Sequence, residues 1–211
     1  MPSKPAVKFQ TKVQAKAQKG KVRIVGGLYK RTPLSVPDLP GLRPTPDRVR
    51  ETLFNWLAGF TEGARCLDLF AGTGALGLEA ASRGAKEVLL IESSKIAAAQ
   101  IADTLTRLKQ PENVHLKVIT AETFISRYAD NGTNTGDAGF DLIFLDPPFG
   151  KNFLAKLWPS LAELLNKNGK VYVESEEPIE ALLQRLNVEA QWRVERAANA
   201  GQVYYHLLSL A

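Results

Sequence analysis

The sequence predicts an α/β protein, a class I, Rossmann-like architecture. Its expected parts are a mostly parallel seven-stranded sheet with helices on both faces, a C-terminal antiparallel hairpin, and a small N-terminal β-lobe with a basic arm. Three observations carry this expectation. Short apolar strand patterns alternate with helical ones after residue 64, which is the signature of a parallel sheet covered on both faces. The last two strand patterns have no helix between them, which reads as a hairpin. The 211 residues are 45% apolar and 23% charged, enough to bury one core of ordinary size.

Residues 1–20 are expected to be a disordered basic arm, because Lys, Gln and Ala dominate and only Val7, Phe9 and Val13 offer apolar anchors. Residues 21–44 follow as a hairpin or extended lobe: KVRIVGGLYKRTPLSVPDLP holds β-branched residues, a Gly-Gly turn and three prolines. The remaining residues, 45–211, form the α/β domain. Its first helix is expected to start at Thr45-Pro46, with the threonine as N-cap and the proline at the first helical position. Val49, Leu53, Trp56 and Leu57 give that helix an apolar face.

Strands are expected at Arg65–Phe70, Glu87–Glu92, Val114–Thr120, Phe140–Asp146 and Lys170–Glu176. Helices are expected near 75–83, 94–109, 121–129, 152–166 and 178–186. The terminal hairpin is placed at Gln191–Arg196 and Gln202–Leu208, flanking Ala-Asn-Ala-Gly. Asn131–Asp137 reads as an exposed loop.

The charge is uneven. Residues 1–37 carry nine cations (lysines 4, 8, 12, 16, 19, 21 and 30 with Arg23 and Arg31) and no acid, while the whole chain is only +5. A basic arm of this kind suits a polyanion, with each lysine on a phosphate adding sequence-blind, salt-sensitive affinity. The single cysteine, Cys66, excludes an internal disulfide framework or a multi-cysteine zinc site. No apolar run is long enough to cross a bilayer. A soluble, cytoplasmic protein is therefore expected, with no membrane partner and no metal.

Three motifs carry chemistry. The first strand runs into Asp68-Leu69-Phe70-Ala71-Gly72-Thr73-Gly74-Ala75-Leu76-Gly77, a glycine turn that lets a ligand approach the backbone at the carboxyl edge of the sheet. Gly72, Gly74 and Gly77 also fit the dinucleotide pattern, but Asp68 at the loop mouth suits an ammonium group better than a pyrophosphate. Glu92 ends the second strand, followed by Ser93, where an acid can accept hydrogen bonds from ribose hydroxyls. Asp146-Pro147-Pro148-Phe149 follows an apolar strand at the same edge. Its prolines fix the backbone, Asp146 and the Pro147 carbonyl can accept from an exocyclic amine, and Phe149 can stack on an unstacked base, worth about 1–3 kcal/mol.

These motifs resemble those of amino-group methyltransferases. Together with RIVGG (23–27), GLRPTPDRVRETLFNWL (41–57), CLDLFAGTGALGLEAASRGA (66–85), YVESE (172–176) and GQVYYHL (201–207), they resemble the RsmD family from about Lys21 onward. The resemblance implies an enzyme that uses S-adenosylmethionine to methylate guanine N2 in 16S rRNA, at position 966, within the small ribosomal subunit or an assembly intermediate, as a monomer. It implies that Asp68, Phe70, Ala71, Gly72, Thr73, Gly74, Glu92 and Ser93 hold the cofactor. After the third strand the family has Asp or Asn where this chain has Thr120. The adenine contact then falls to Thr120, Ala121 or Glu122. Lys21, Arg23, Lys30, Arg31, Arg43 and Arg48 are candidate rRNA contacts, beside Phe149. Arg43, Arg48 and Arg50 could touch cofactor or rRNA, while Arg48 and Arg50 also read as solvent-facing helix cations. His115 and His206 are isolated, and Trp56, Trp158 and Trp192 are expected to pack. DNA adenine-N6 and protein glutamine-N5 methyltransferases share such a tetrapeptide. A nicotinamide dehydrogenase and a non-enzymatic rRNA-binding assembly factor are the readings from other classes.

Overall fold

The computed structural model describes residues 22–37, 39, 45–130 and 139–211. The basic arm 1–20, Lys21, Arg43 and the loop Asn131–Asp137 lie outside the described residues. A two-residue hairpin opens the described chain, β1 (Val22–Arg23) pairing antiparallel with β2 (Pro33–Leu34). Helix α1 (Asp47–Trp56) leads into a seven-stranded sheet. The parallel strands are β3 (Arg65–Asp68), β4 (Glu87–Ile91), β5 (Val114–Lys117), β6 (Phe140–Leu145) and β7 (Leu165–Ser175). Helices α2 (Ala75–Ser82), α3 (Lys95–Arg107), α4 (Ala121–Asp130) and α5 (Phe153–Leu164) connect them. After α6 (Ile179–Leu186), strands β8 (Trp192–Ala200) and β9 (Val203–Leu210) pair antiparallel. The sheet order is β5-β4-β3-β6-β7-β9-β8, with β9 antiparallel to β7. Strand order reverses between β3 and β6, and a crevice opens at such a switch point beyond the carboxyl ends of the strands.

Apolar residues on both faces of the central strands explain two core clusters. One face joins Cys66, Val88, Leu90, Leu142, Phe144 and Tyr172 to Leu53, Phe54 and Leu78 of α1 and α2. Val22, Ile24, Leu34 and Val36 from the N-terminal hairpin segment belong to that same cluster. The opposite face joins Leu67, Ile91, Ile143 and Val171 to α4, α5 and α6. There Trp158 meets Trp192 edge-on at 5.2 Å, while Trp56 stacks on Tyr205 at 5.4 Å on the first face. All three tryptophans thus pack against other aromatic rings.

The hairpin is fastened to the end of α2. The Leu28 and Tyr29 N–H groups donate to the Ser82 carbonyl (2.7 Å) and hydroxyl (2.8 Å), and that hydroxyl donates to the Gly26 carbonyl at 2.5 Å. Gly27 has φ +73°, and a Cβ there would lie 1.8 Å from the Ser82 oxygen, so only glycine fits. Val25 N–H donates to Glu79 Oε2 at 2.7 Å. Glu79 also receives Arg83 at 2.7 Å and faces Arg50 at 3.6 Å.

Three expectations need correction. Thr45 does not cap α1: Pro46 occupies the cap with no side-chain hydrogen bond, and the threonine hydroxyl turns toward the sheet edge instead. Arg50 is not solvent-facing. It is fully buried, donating to Asp47 Oδ1 at 2.6 Å and to the Thr45 carbonyl at 3.2 Å. Burial lowers its pKa against the pull of Asp47 and Glu79. The terminal hairpin is also longer than expected, because Ala197–Ala200 continue β8 in register with β9, and the turn falls at Gly201-Gln202. The stretch of small residues lacks a strand preference, and pairing with the aromatic strand β9 overrides it.

Buried Cys66 sits on β3 with its thiol pKa raised, chiefly by desolvation, and is a small core hydrophobe. Replacing Arg50 by alanine removes the buried cation that holds Asp47 and the Thr45 carbonyl and faces Glu79, which then keeps only its Arg83 and Val25 partners. The expected loss is about 3–5 kcal/mol of unfolding free energy, read from the denaturant midpoint.

Candidate active site

A cavity of about 770 Å³ opens at the carboxyl edge of β3, β4, β5 and β6. It is built by chain segments that leave the sheet there, so sequence-distant motifs meet. Asp68, Phe70, Ala71, Gly72 and Thr73 line it from the end of β3 and the loop that follows, Glu92 and Ser93 from just beyond β4, and Thr120, Ala121 and Glu122 from the start of α4. Asp146, Pro147, Pro148 and Phe149 complete it from the end of β6. The three motifs therefore share one wall-to-wall space.

Asp68 is almost fully buried. Its Oδ2 accepts the Gly77 N–H at 3.1 Å, while Oδ1 has no partner among the described residues. Burial pushes its pKa up to about 7, with the Gly77 N–H pulling the other way. Glu92 braces the glycine loop: Oε2 accepts the Gly72 N–H at 2.8 Å and Oε1 the Ser94 N–H at 2.6 Å. Ser94 in turn caps α3 by accepting the Ala97 N–H at 3.3 Å. Phe70 packs against Phe153 at 5.2 Å. Gly74 caps α2 rather than lining the cavity. Gly77 serves packing, since a Cβ there would lie 2.2 Å from Leu90. The Thr120 hydroxyl accepts the Thr123 N–H at 3.2 Å and so caps α4.

Two further groups that the sequence reading missed, Thr45 and Glu174, stand beside the end of β6. The parallel register pairs Leu145 with Val173, placing Asp146 and Glu174 beside each other. The Thr45 hydroxyl lies between them, 3.3 Å from Asp146 Oδ2 and 3.0 Å from Glu174 Oε1. Tyr172 Oη donates to the same Glu174 oxygen at 2.8 Å. Burial raises the pKa of both carboxyls, and for Asp146 the neighbouring Glu174 and Asp68 add to it. The signal was present in YVESE: an acid at the end of an otherwise apolar, buried strand.

Phe149 is 36% exposed at the rim, with its ring available. Among the described residues, the basic candidates are not gathered at the cavity. Arg48 is exposed on α1, Arg23 pairs with Asp47 at 3.1 Å, and Lys30 and Arg31 are exposed on the hairpin tip. Cys66 and His206 are core residues of the sheet, and His115 is exposed on the edge strand β5.

Sheet order and cavity place the chain in the class I methyltransferase fold, and comparison with known proteins agrees. The solved Escherichia coli yhhF structure superposes with TM-score 0.74 at 39% identity, covering 90% of this chain and 97% of that one. A Thermus thermophilus structure gives 0.70 at 26% identity over 88% and 98%. The family described as Conserved hypothetical protein 95 matches residues 22–209. The curated Ribosomal RNA small subunit methyltransferase D of Escherichia coli K12 is 43% identical over 194 residues, 89% of each chain. Its Haemophilus influenzae counterpart is 37% identical over 93% of this chain and 97% of that protein. The chain belongs to this family, the RsmD family.

A carboxyl whose pKa is higher folded than unfolded binds its proton more tightly in the native state, so stability falls as pH rises through that interval. For Asp68 the interval runs from the ordinary 3.8 to about 7. Asp68→Asn is expected to flatten this slope and to stabilise the ligand-free protein above pH 7 by about 1–3 kcal/mol. Thermal melts between pH 4 and 8 check it; an unchanged slope counts against a buried, unpaired charge.

Proposed function

We propose that this chain transfers a methyl group from S-adenosylmethionine to the exocyclic N2 of a guanine in 16S rRNA. The observation that carries this reading is the shared cavity: the amine-accepting tetrapeptide Asp146–Phe149 faces the same space as Asp68 and Glu92. The relatives named above are ribosomal RNA methyltransferases of the small subunit, which supports rRNA as the substrate class. The substrate form we favour is the small subunit or an assembly intermediate, met by a monomer in the cytoplasm.

The residues present fit the cofactor. Asp68 Oδ1 is a buried acceptor with no protein partner among the described residues, suited to an ammonium group. Glu92 keeps unused lone pairs after bracing the loop and can accept ribose hydroxyls. With the Thr120 hydroxyl engaged as a cap, the Glu122 carboxylate and the first-turn N–H groups of α4 are the groups suited to adenine's amine and ring nitrogen. When bound, S-adenosylmethionine supplies a methyl group on a positively charged sulfur.

The chain's own residues do the rest by position. A guanine amine is a poor nucleophile because its lone pair is delocalised into the ring. Asp146 and the Pro147 carbonyl would accept its two hydrogens, and this localises the lone pair on nitrogen. Phe149 would hold the base by stacking. Asp146 would take the proton shed by the methylated nitrogen, or pass it to water; its raised pKa favours uptake. Correct placement of the reacting groups can contribute about 7–11 kcal/mol. The cations outside the cavity, Lys30, Arg31 and Arg48, would hold rRNA phosphates.

Tritiated methyl transfer to under-methylated small subunits, DNA and protein tests the substrate, and mass spectrometry maps the modified nucleotide. Label confined to a small-subunit guanine is expected; label on DNA or protein would replace the proposal. Asp146→Ala should lower turnover by about 100-fold or more while S-adenosylhomocysteine still raises the melting temperature. Near-normal turnover would refute the role given to Asp146.

A further inference from the structure

Glu174 lines the cavity beside Asp146 and has no part in the methyl transfer proposed for Asp146. Asp146 and Glu174 follow paired residues of β6 and β7, so they stand about 4.8 Å apart along the sheet, the spacing of neighbouring strands. Glu174 is only 5% exposed. Two hydroxyls, from Tyr172 and Thr45, converge on its Oε1 at 2.8 and 3.0 Å. Its Oε2 takes no hydrogen bond from any described residue, and no cation among them pairs with it. The Tyr172 and Thr45 contacts fix the side chain and leave one oxygen as a spare acceptor. Glu174 lines the cavity, so this spare acceptor is open to a donor carried by a ligand.

The chemistry of the target edge supplies the missing donor. Guanine carries a ring N1–H next to its N2 amine, so two adjacent positions of one edge donate. Adenine, like any purine with a bare N1, offers a lone pair there. We infer that Glu174 is a specificity-determining residue, its Oε2 accepting the guanine N1–H while Asp146 accepts the N2 amine. This rests on the reading of Asp146 as the amine acceptor. Two acceptors fixed by strand register match two neighbouring donors, and a bare N1 would set a lone pair against a carboxylate. Burial raises the pKa of both carboxyls, with Asp68 adding to Asp146, so the pair gains from a donor edge. A site built to bind a substrate N–H rejects an analogue lacking it far more strongly than an apolar pocket rejects a missing methylene.

The discriminating substrate is 2-aminopurine, which keeps the N2 amine but has no N1–H. Small subunits are reconstituted with 16S rRNA carrying guanine or 2-aminopurine at the mapped target, and kcat/KM is measured for each. The unmodified protein is expected to prefer guanine by about 100-fold or more. In Glu174→Gln the amide NH₂ can donate to a bare N1, so the preference should shrink to less than about tenfold, with slower guanine and faster 2-aminopurine transfer. S-adenosylhomocysteine thermal shifts report whether the variant keeps its fold and cofactor site. A variant that slows both purines equally overturns the inference, since a purely structural role moves both alike. So does an unmodified protein that methylates 2-aminopurine as fast as guanine, a result that needs no variant. If the unmodified protein labels no small-subunit guanine at all, the underlying functional reading fails instead.

Discussion

Strands β6 and β7 share one parallel register, so their carboxyl ends deliver two acids side by side into one cavity. The surrounding structure serves that constraint. Thr45 leaves its expected place at a helix start to sit between them, and Tyr172 supplies a second hydroxyl. Burying such groups without cations raises their pKa and costs stability. The site is thus built at the expense of the empty fold, as is common where polar groups await a ligand.

The glycine loop shows a division of labour within one motif. Asp68 and Glu92 both use a carboxylate oxygen to hold backbone N–H groups, at Gly77 and at Gly72. Each acid therefore shapes the loop as well as facing the cavity. Gly77 gives close contact between α2 and the sheet, so one spacing of glycines combines packing with ligand approach.

Much of this was legible in the sequence, for a physical reason. Strands buried on both faces are continuously apolar, and the turns after them hold the acids and glycines at the sheet edge, so period and punctuation coincide. Asp68, Glu92 and Asp146 could be read because each follows an apolar run directly. Thr45 could not, since threonine before proline is a strong local cap signal, and only the distant carboxyls outweigh it. Glu174 also follows an apolar run, but its place beside Asp146 depends on the register with β6 and on Thr45, which no local pattern shows. Arg50 was misread because charge suggests solvent. Its partner Glu79 lies on another helix, and no local periodicity reveals that pair.

The joint between Gly27 and Ser82 has an evolutionary consequence. The hairpin tip can vary freely at Leu28, which is 81% exposed, but its glycine and the serine terminating α2 interlock within van der Waals distance. Neither can drift alone. Descendants of this chain are expected to keep the two residues or lose them together, a covariation that ties an outlying ribbon to the helix rooted in the glycine loop.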